Sequence, residues 1–160
     1  MSVAIAARPA TATRAGATTL WLRTASVISL LFTAGHTLGG LKHWSPTGDN
    51  EVLRQMTAVH FAVQGARRSY LDFFMGFGWS ISVAMLLQTV LLWQLASMAR
   101  TNPAGARPLI AAFALAALAS GVIAWRFIFP VPVLFSAALL IALAVAFVAA
   151  GRAGVPAAEV

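Results

Sequence analysis

Four long apolar stretches, at about residues 22–41, 73–96, 109–129 and 132–150, constrain this chain more than anything else in it. Charge inside them is confined to the ends: Arg23 at the start of the first and Arg126 near the end of the third. A helix crosses the hydrocarbon core of a bilayer with roughly 20 apolar residues, so each stretch is long enough to span. With 60% of 160 residues hydrophobic and 9% charged, a soluble fold lacks the polar surface to cover the remainder. A bilayer offers no water to the backbone, so each span must satisfy its own hydrogen bonds as a helix. The apolar runs are continuous rather than alternating, which excludes a barrel. The expected fold is all-α: an integral membrane four-helix bundle, with an additional amphipathic surface helix between the first two spans.

A net charge of +7 can suggest nucleic acid, but the eleven basic residues lie mainly between or beside the spans. There they orient membrane helices and meet anionic headgroups. Membrane lipids are the expected partners, and nucleic acid is not. The chain has no cysteine, which removes disulfides, thiolate metal sites and Cys nucleophiles from consideration.

Three regions follow. Residues 1–20 are rich in Ala and Thr, carry Arg8 and Arg14 with no acid, and read as a flexible basic tail. A transit peptide shares that composition. A cleaved signal peptide is not expected, because the first apolar run has full span length and ends in GHTLGG rather than Ala-x-Ala. Residues 21–151 form the four-span domain and 152–160 a C-terminal tail. Arg8, Arg14, Arg23, Arg100, Arg107 and Arg152 fall on one side of the membrane, against Lys42, Arg54, Arg67, Arg68 and Arg126 on the other. The excess of one predicts both termini in the cytoplasm. Trp21 and Trp44 bracket span one, Tyr70 and Trp93 bracket span two, and Trp125 lies near the outer end of span three, as headgroup-level aromatics do.

Ser69 followed by Asp72 reads as a capping box opening span two. Pro108 fits the first turn of span three, and the FPVP segment (Phe129–Pro132) separates spans three and four as an antiparallel hairpin. In the loop from Lys42 to Ser69, residues 45–50 form a turn cluster with Asp49 or Asn50 as N-cap. From Glu51 to Arg67, Val52, Met56, Val59 and Val63 recur at helical spacing, which predicts an amphipathic helix on the outer surface. Gly35 and Gly39, Gly78 with Ser82, and Ala117 with Gly121 have the small-xxx-small spacing that lets membrane helices approach. These faces are expected to pack within the monomer, with a homodimer or a larger membrane complex as the alternative. Span four has Leu, Ala and Val all round and is expected to be the most lipid-exposed.

Polar residues in or beside the spans are functional suspects. His36 in span one, His60 in the surface helix, Asp72 at the start of span two and Arg126 at the end of span three all map to the outer half, with Trp79 as an apolar wall. Each also has a structural explanation: a helix-to-helix hydrogen bond for His36, a surface position for His60, capping for Asp72, snorkelling for Arg126 and lipid or core contact for Trp79. His43 reads as interfacial. The spacing of His36, His43 and His60 matches no compact metal motif, no GxSxG elbow is present, and no span holds paired carboxylates. No catalytic residue, metal ligand or cofactor is therefore nominated.

The strings GHTLGG in span one and RSYLDFFMGFGWSISV leading into span two resemble a group of small, uncharacterised bacterial four-span membrane proteins with an early Gly-His motif and a GFG-type opening of the second helix. The resemblance covers roughly residues 28–95. It implies a bacterial inner-membrane protein with a four-helix arrangement, and it carries no activity. The functional expectation is a non-enzymatic protein binding an apolar or amphipathic small molecule, a lipid or quinone, at the outer end. The alternatives are an accessory subunit of a larger membrane complex and a haem- or metal-binding protein.

Overall fold

The computed structural model describes residues 10–153, with side chains described for 15–152. Among these residues α1 spans Ala10–Gly40, α2 Glu51–Ala58, β1 His60–Val63, β2 Ala66–Ser69, α3 Tyr70–Met98, α4 Pro103–Phe127 and α5 Pro130–Ala153. The fold class is all-α, with four long apolar helices, an additional short one and a small hairpin. The long helices are each apolar enough to cross a membrane, over Ala15–Gly40, Tyr70–Met98, Pro103–Phe127 and Pro130–Arg152. The protein is a multi-pass membrane protein.

Several boundaries differ from the sequence reading, each for a local reason. Of the basic tail expected over residues 1–20, the part from Ala10 onward is helical and continuous with α1. Its alanines are the strongest helix formers, and apolarity alone does not reveal such an extension. Residues 1–9, with Arg8, lie outside the described residues, as does the tail beyond Ala153. The opening of α4 is earlier than expected too. Pro103 takes the first turn, Asn102 caps it by accepting from Gly105 N at 2.8 Å, and Pro108 sits inside the helix.

The surface helix is shorter than the predicted 51–67. Asn50 is its N-cap, accepting from Leu53 N at 3.1 Å, but α2 stops at Ala58. Val59 turns extended (φ −83°, ψ 119°), and residues 60–69 form an antiparallel hairpin pairing His60 with Ser69 and Val63 with Ala66. The two turn residues, Gln64 and Gly65, both have positive φ (50° and 80°). That is the type I′ geometry whose twist matches paired strands. Val59 and Val63 fit a helical spacing and a strand equally well, and Gly65 decides between them.

By packing, the chain divides into two compact units: Leu30–Leu87, and the remainder up to Ser29 and from Gln88. The second of these is an alanine-rich helical core. Leu22 and Ala25 of α1, Leu92, Leu95 and Ala96 of α3, Ala106, Ile110 and Ala117 of α4, and Leu139, Ala142, Leu143, Ala146 and Ala150 of α5 are all buried. Small side chains bring helix axes close, which matters where lipid supplies no hydrophobic drive. A buried polar seam joins α1 to α3: Ser26 Oγ donates to Thr89 O at 2.8 Å, and Gln88 Nε2 and Thr89 Oγ1 donate to Ser29 Oγ at 3.1 and 2.9 Å. In α5 the buried positions recur at three and four residues, with Ala142, Ala146 and Ala150 forming a small-residue face. The helix expected to be most lipid-exposed is thus the most covered, with 33% of its apolar stretch buried against 17% for α4.

Candidate functional site

Within Leu30–Leu87 the organising residue is Trp44, and the reason is how α1 ends. Trp44 N donates to Gly39 O at 2.9 Å and His43 N donates to Gly40 O at 3.0 Å. These are the two bonds of a Schellman motif, which puts His43 at the left-handed position usually given to glycine and Trp44 immediately after it. His43 and Trp44 both have positive φ, 54° and 48°, at a cost of roughly 1 kcal/mol or more each for a residue with a Cβ. The helix therefore does not continue to His43, and the chain folds back along its own last turn.

Three glycines receive the returning indole. A Cβ on Gly39 would lie 3.1 Å from Trp44 Cδ1, and one on Gly40 would lie 2.8 Å from Trp44 Cη2 and 3.0 Å from Trp79 Cη2. A Cβ on Gly78 would overlap the six-membered ring of Trp44. Gly39 and Gly78 thus make room for a side chain rather than for a helix backbone. Of the other predicted packing glycines, Gly35 faces open space, and Gly121 meets Ser136 across α4 and α5, where a Cβ would lie 3.3 Å from the serine Cβ.

The indole makes one hydrogen bond, from Nε1 to His36 O at 2.7 Å. Its ring lies 5.2 Å from the His36 imidazole, 5.2 Å edge-on from Trp79 and 6.5 Å edge-on from Phe74. Such aromatic pairs contribute about 0.5–1.5 kcal/mol each beyond the area they bury. His36 Nδ1 and Ser82 Oγ are 3.0 Å apart and tie α1 to α3. A serine beside a histidine invites comparison with a nucleophile and its base, but no carboxylate among the described residues is bonded to this imidazole as the third member of such an arrangement would be.

The other predicted site residues divide. His36 and Trp79 are brought together, with Trp44 between them. Asp72 and His60 are held in local structure at the hairpin. Ser69 N donates to Asp72 Oδ2 at 2.9 Å and Asp72 N donates to Ser69 Oγ at 3.0 Å, the reciprocal capping box the sequence predicts. His60, exposed at the start of β1, places Nδ1 2.9 Å from Ala58 O, so the proton sits on Nδ1. Phe61 packs on Tyr70 and Phe73, and Phe73 on Phe77, pinning the hairpin to the start of α3. Arg126 belongs to the other unit, in the last turn of α4, exposed and 5.1 Å above the Phe127 ring. No three His, Asp or Glu side chains among the described residues are grouped as metal ligands would be. A shallow cleft of about 220 Å³ lies at the polar turn, lined by His43, Asp49, Asn50, Leu53, Arg54, Thr57 and Leu71.

Compared with known protein families, curated proteins and solved structures, the chain matches none. The central residue of the cluster was the one the sequence reading treated only as a span marker. Its signal was present: a tryptophan four residues beyond a Gly-Gly pair, with a second glycine-tryptophan pair, Gly78-Trp79, in the next span.

Proposed function

We propose that the protein binds a flat, amphipathic small molecule of the quinone or lipid class in the glycine-walled slot of α1 and α3, where Trp44 is the resident occupant. One observation carries this reading: the slot already holds a planar ring with one donor group, accepted by His36 O, between Gly39, Gly40, Gly78 and Trp79. A hydroquinone offers the same combination of plane and hydroxyl donor. The occupant is attached through two residues in the left-handed region, a strained hinge of the kind that clusters at clamps and switches. In this reading His36 and Trp79 line the site, while His60 and Asp72 hold the hairpin beside it. The setting that fits is a bacterial inner membrane with both termini cytoplasmic, supported by the distribution of arginine.

The test is a titration of a short-chain benzohydroquinone, kept reduced under anaerobic conditions, into protein in lipid nanodiscs, read by tryptophan quenching and by equilibrium dialysis. Saturable binding is expected, several-fold tighter in Trp44→Ala, where the slot is vacated, and lost in Trp44→Ala/Gly78→Leu, where it is refilled. Non-saturable partition in all three proteins rejects the reading. A second reading, a subunit of a larger membrane complex, is favoured by Gly35 and Gly76, where an added Cβ would meet nothing within 4 Å. It predicts a stoichiometric partner on purification in mild detergent, and a lone chain counts against it.

A further inference from the structure

The unit made of residues up to Ser29 and from Gln88 has an unusual charge inventory. Its described residues include Arg23, Arg100, Arg107, Arg126 and Arg152 and not one Asp or Glu; Glu159, beyond the described residues, is the only acid in that part of the sequence. Two of these arginines are built into the helices rather than trailing from them. The Arg23 guanidinium lies 3.3 Å above the centre of the Trp93 ring and donates from Nη2 to Ser97 Oγ at 3.1 Å. The Arg107 guanidinium lies 4.2 Å from the Phe147 ring centre, against Gly151, where an added Cβ would come within 3.2 Å of Cζ. In both residues Nε is buried with no acceptor among the described residues.

A half-buried guanidinium is costly unless its charge is answered, and a ring face answers only part of it. With Nε enclosed and one face on an aromatic ring, the terminal nitrogens are the edge left for an anion. Both groups lie at one level. Arg107 is four residues, about 6 Å, inside the start of α4. Trp93 and Ser97 lie in the last two turns of α3, and Phe147 and Gly151 in the last two of α5. A few ångströms below helix ends is the depth of phosphate and glycerol in a bilayer leaflet.

We infer that Arg23 and Arg107 are clamps for the phosphate of an anionic phospholipid at the end where α3 closes and α4 opens. Trp93 and Ser97 fix the Arg23 fork, Phe147 and Gly151 the Arg107 fork, and a phosphate diester supplies acceptor oxygens for the terminal N–H groups that these partners leave open. This site is separate from the Trp44 slot and does not depend on it.

The experiment measures phospholipid retained by the full chain after purification in mild detergent. It also compares melting temperature in phosphatidylcholine nanodiscs with and without phosphatidylglycerol. Wild type should retain phosphatidylglycerol and melt higher when it is present. Arg107→Gln and Arg23→Gln should each weaken retention about tenfold, the scale of one charge-assisted hydrogen bond. Arg107→Lys, which keeps the charge without the fork, should recover only part. Arg100→Gln removes an exposed charge at the same end and should change retention little; an equal loss there means diffuse attraction and overturns the proposal. Inorganic phosphate raising the melting temperature in detergent as much as the lipid does means a soluble anion is the ligand, which also overturns it. So does restored phosphatidylglycerol dependence in Glu159→Gln where wild type shows none, since the tail carboxylate would then be the counter-ion. Variants that still melt like wild type in pure phosphatidylcholine separate lost lipid from lost fold.

Discussion

The same kind of residue does opposite things in the two units. In Leu30–Leu87, glycines of α1 and α3 leave a slot that a tryptophan fills. In the other unit, the alanines of α4 and α5 are buried in the core with no large side chain set between them, although Gly151 still leaves room for the Arg107 guanidinium. The first is a small-residue face organised around one large side chain and a strained turn, the second a face organised around close approach. A small-xxx-small pattern is therefore a statement about space, not about what occupies it.

The sharpest way to break this comparison is to remove the occupant. Trp44→Ala should cost about 3 kcal/mol of stability, the lower end for deleting a packed aromatic ring. In the aromatic unit that loss should be strongly non-additive with Gly78→Ala, read as a double-mutant cycle of thermal unfolding in nanodiscs. Additive effects would mean that the indole and the glycine do not share the slot. Next comes a glycine-to-alanine series across both units. Gly78→Ala should destabilise by about 2 kcal/mol through overpacking. Gly121→Ala, against the Ser136 Cβ at 3.3 Å, should cost less than about 1 kcal/mol, and Gly35→Ala, in open space, should be neutral. Any other order undoes the contrast. Smaller again, Ser69→Ala should cost about 1 kcal/mol by removing the cap of α3, with faster amide exchange at Asp72 as its local signature.

The smallest effect concerns α2. The Glu51 carboxyl is held below its usual range first by Arg54, whose guanidinium bonds it, and then by Gln55. A depressed carboxyl contributes stability above its unfolded value near 4.5, and that contribution is lost as pH falls through the lower folded value. Amide protection factors in α2, taken against the intrinsic exchange rate at each pH, should therefore fall in acid, below about pH 4.5, and Glu51→Gln should remove that dependence.

Much of this was legible in the sequence. Four spans, an N-cap at Asp49 or Asn50 (it is Asn50), the Ser69–Asp72 box and the α4–α5 hairpin each follow from a rule that acts over a few residues. What escaped depended on distance or on a single decisive residue. Gly65 turned a helical pattern into a hairpin. Ser26, Ser29 and Thr89 looked like ordinary weakly polar residues until α1 and α3 were side by side. Ala142, Ala146 and Ala150 were hidden in a helix apolar all round, where no polar face marks which side is covered. Of the residues nominated as a site, His36 and Trp79 lie against Trp44, whereas His60 and Asp72 lie at the hairpin and Arg126 in the other unit. Trp44 was read as a membrane-interface aromatic because its return into the bundle depends on a left-handed turn at His43, a conformation that His enters only when the rest of the chain requires it.

The absence of carboxylates around Arg23 and Arg107 has one more consequence. The described part of that unit contains no Lys, His, Tyr, Asp or Glu either, so arginine is its only ionisable side chain. Charge of a single sign, carried by a single residue type, makes this end of the protein a surface whose pull on any anion would be set by ionic strength and by the headgroup composition of the leaflet.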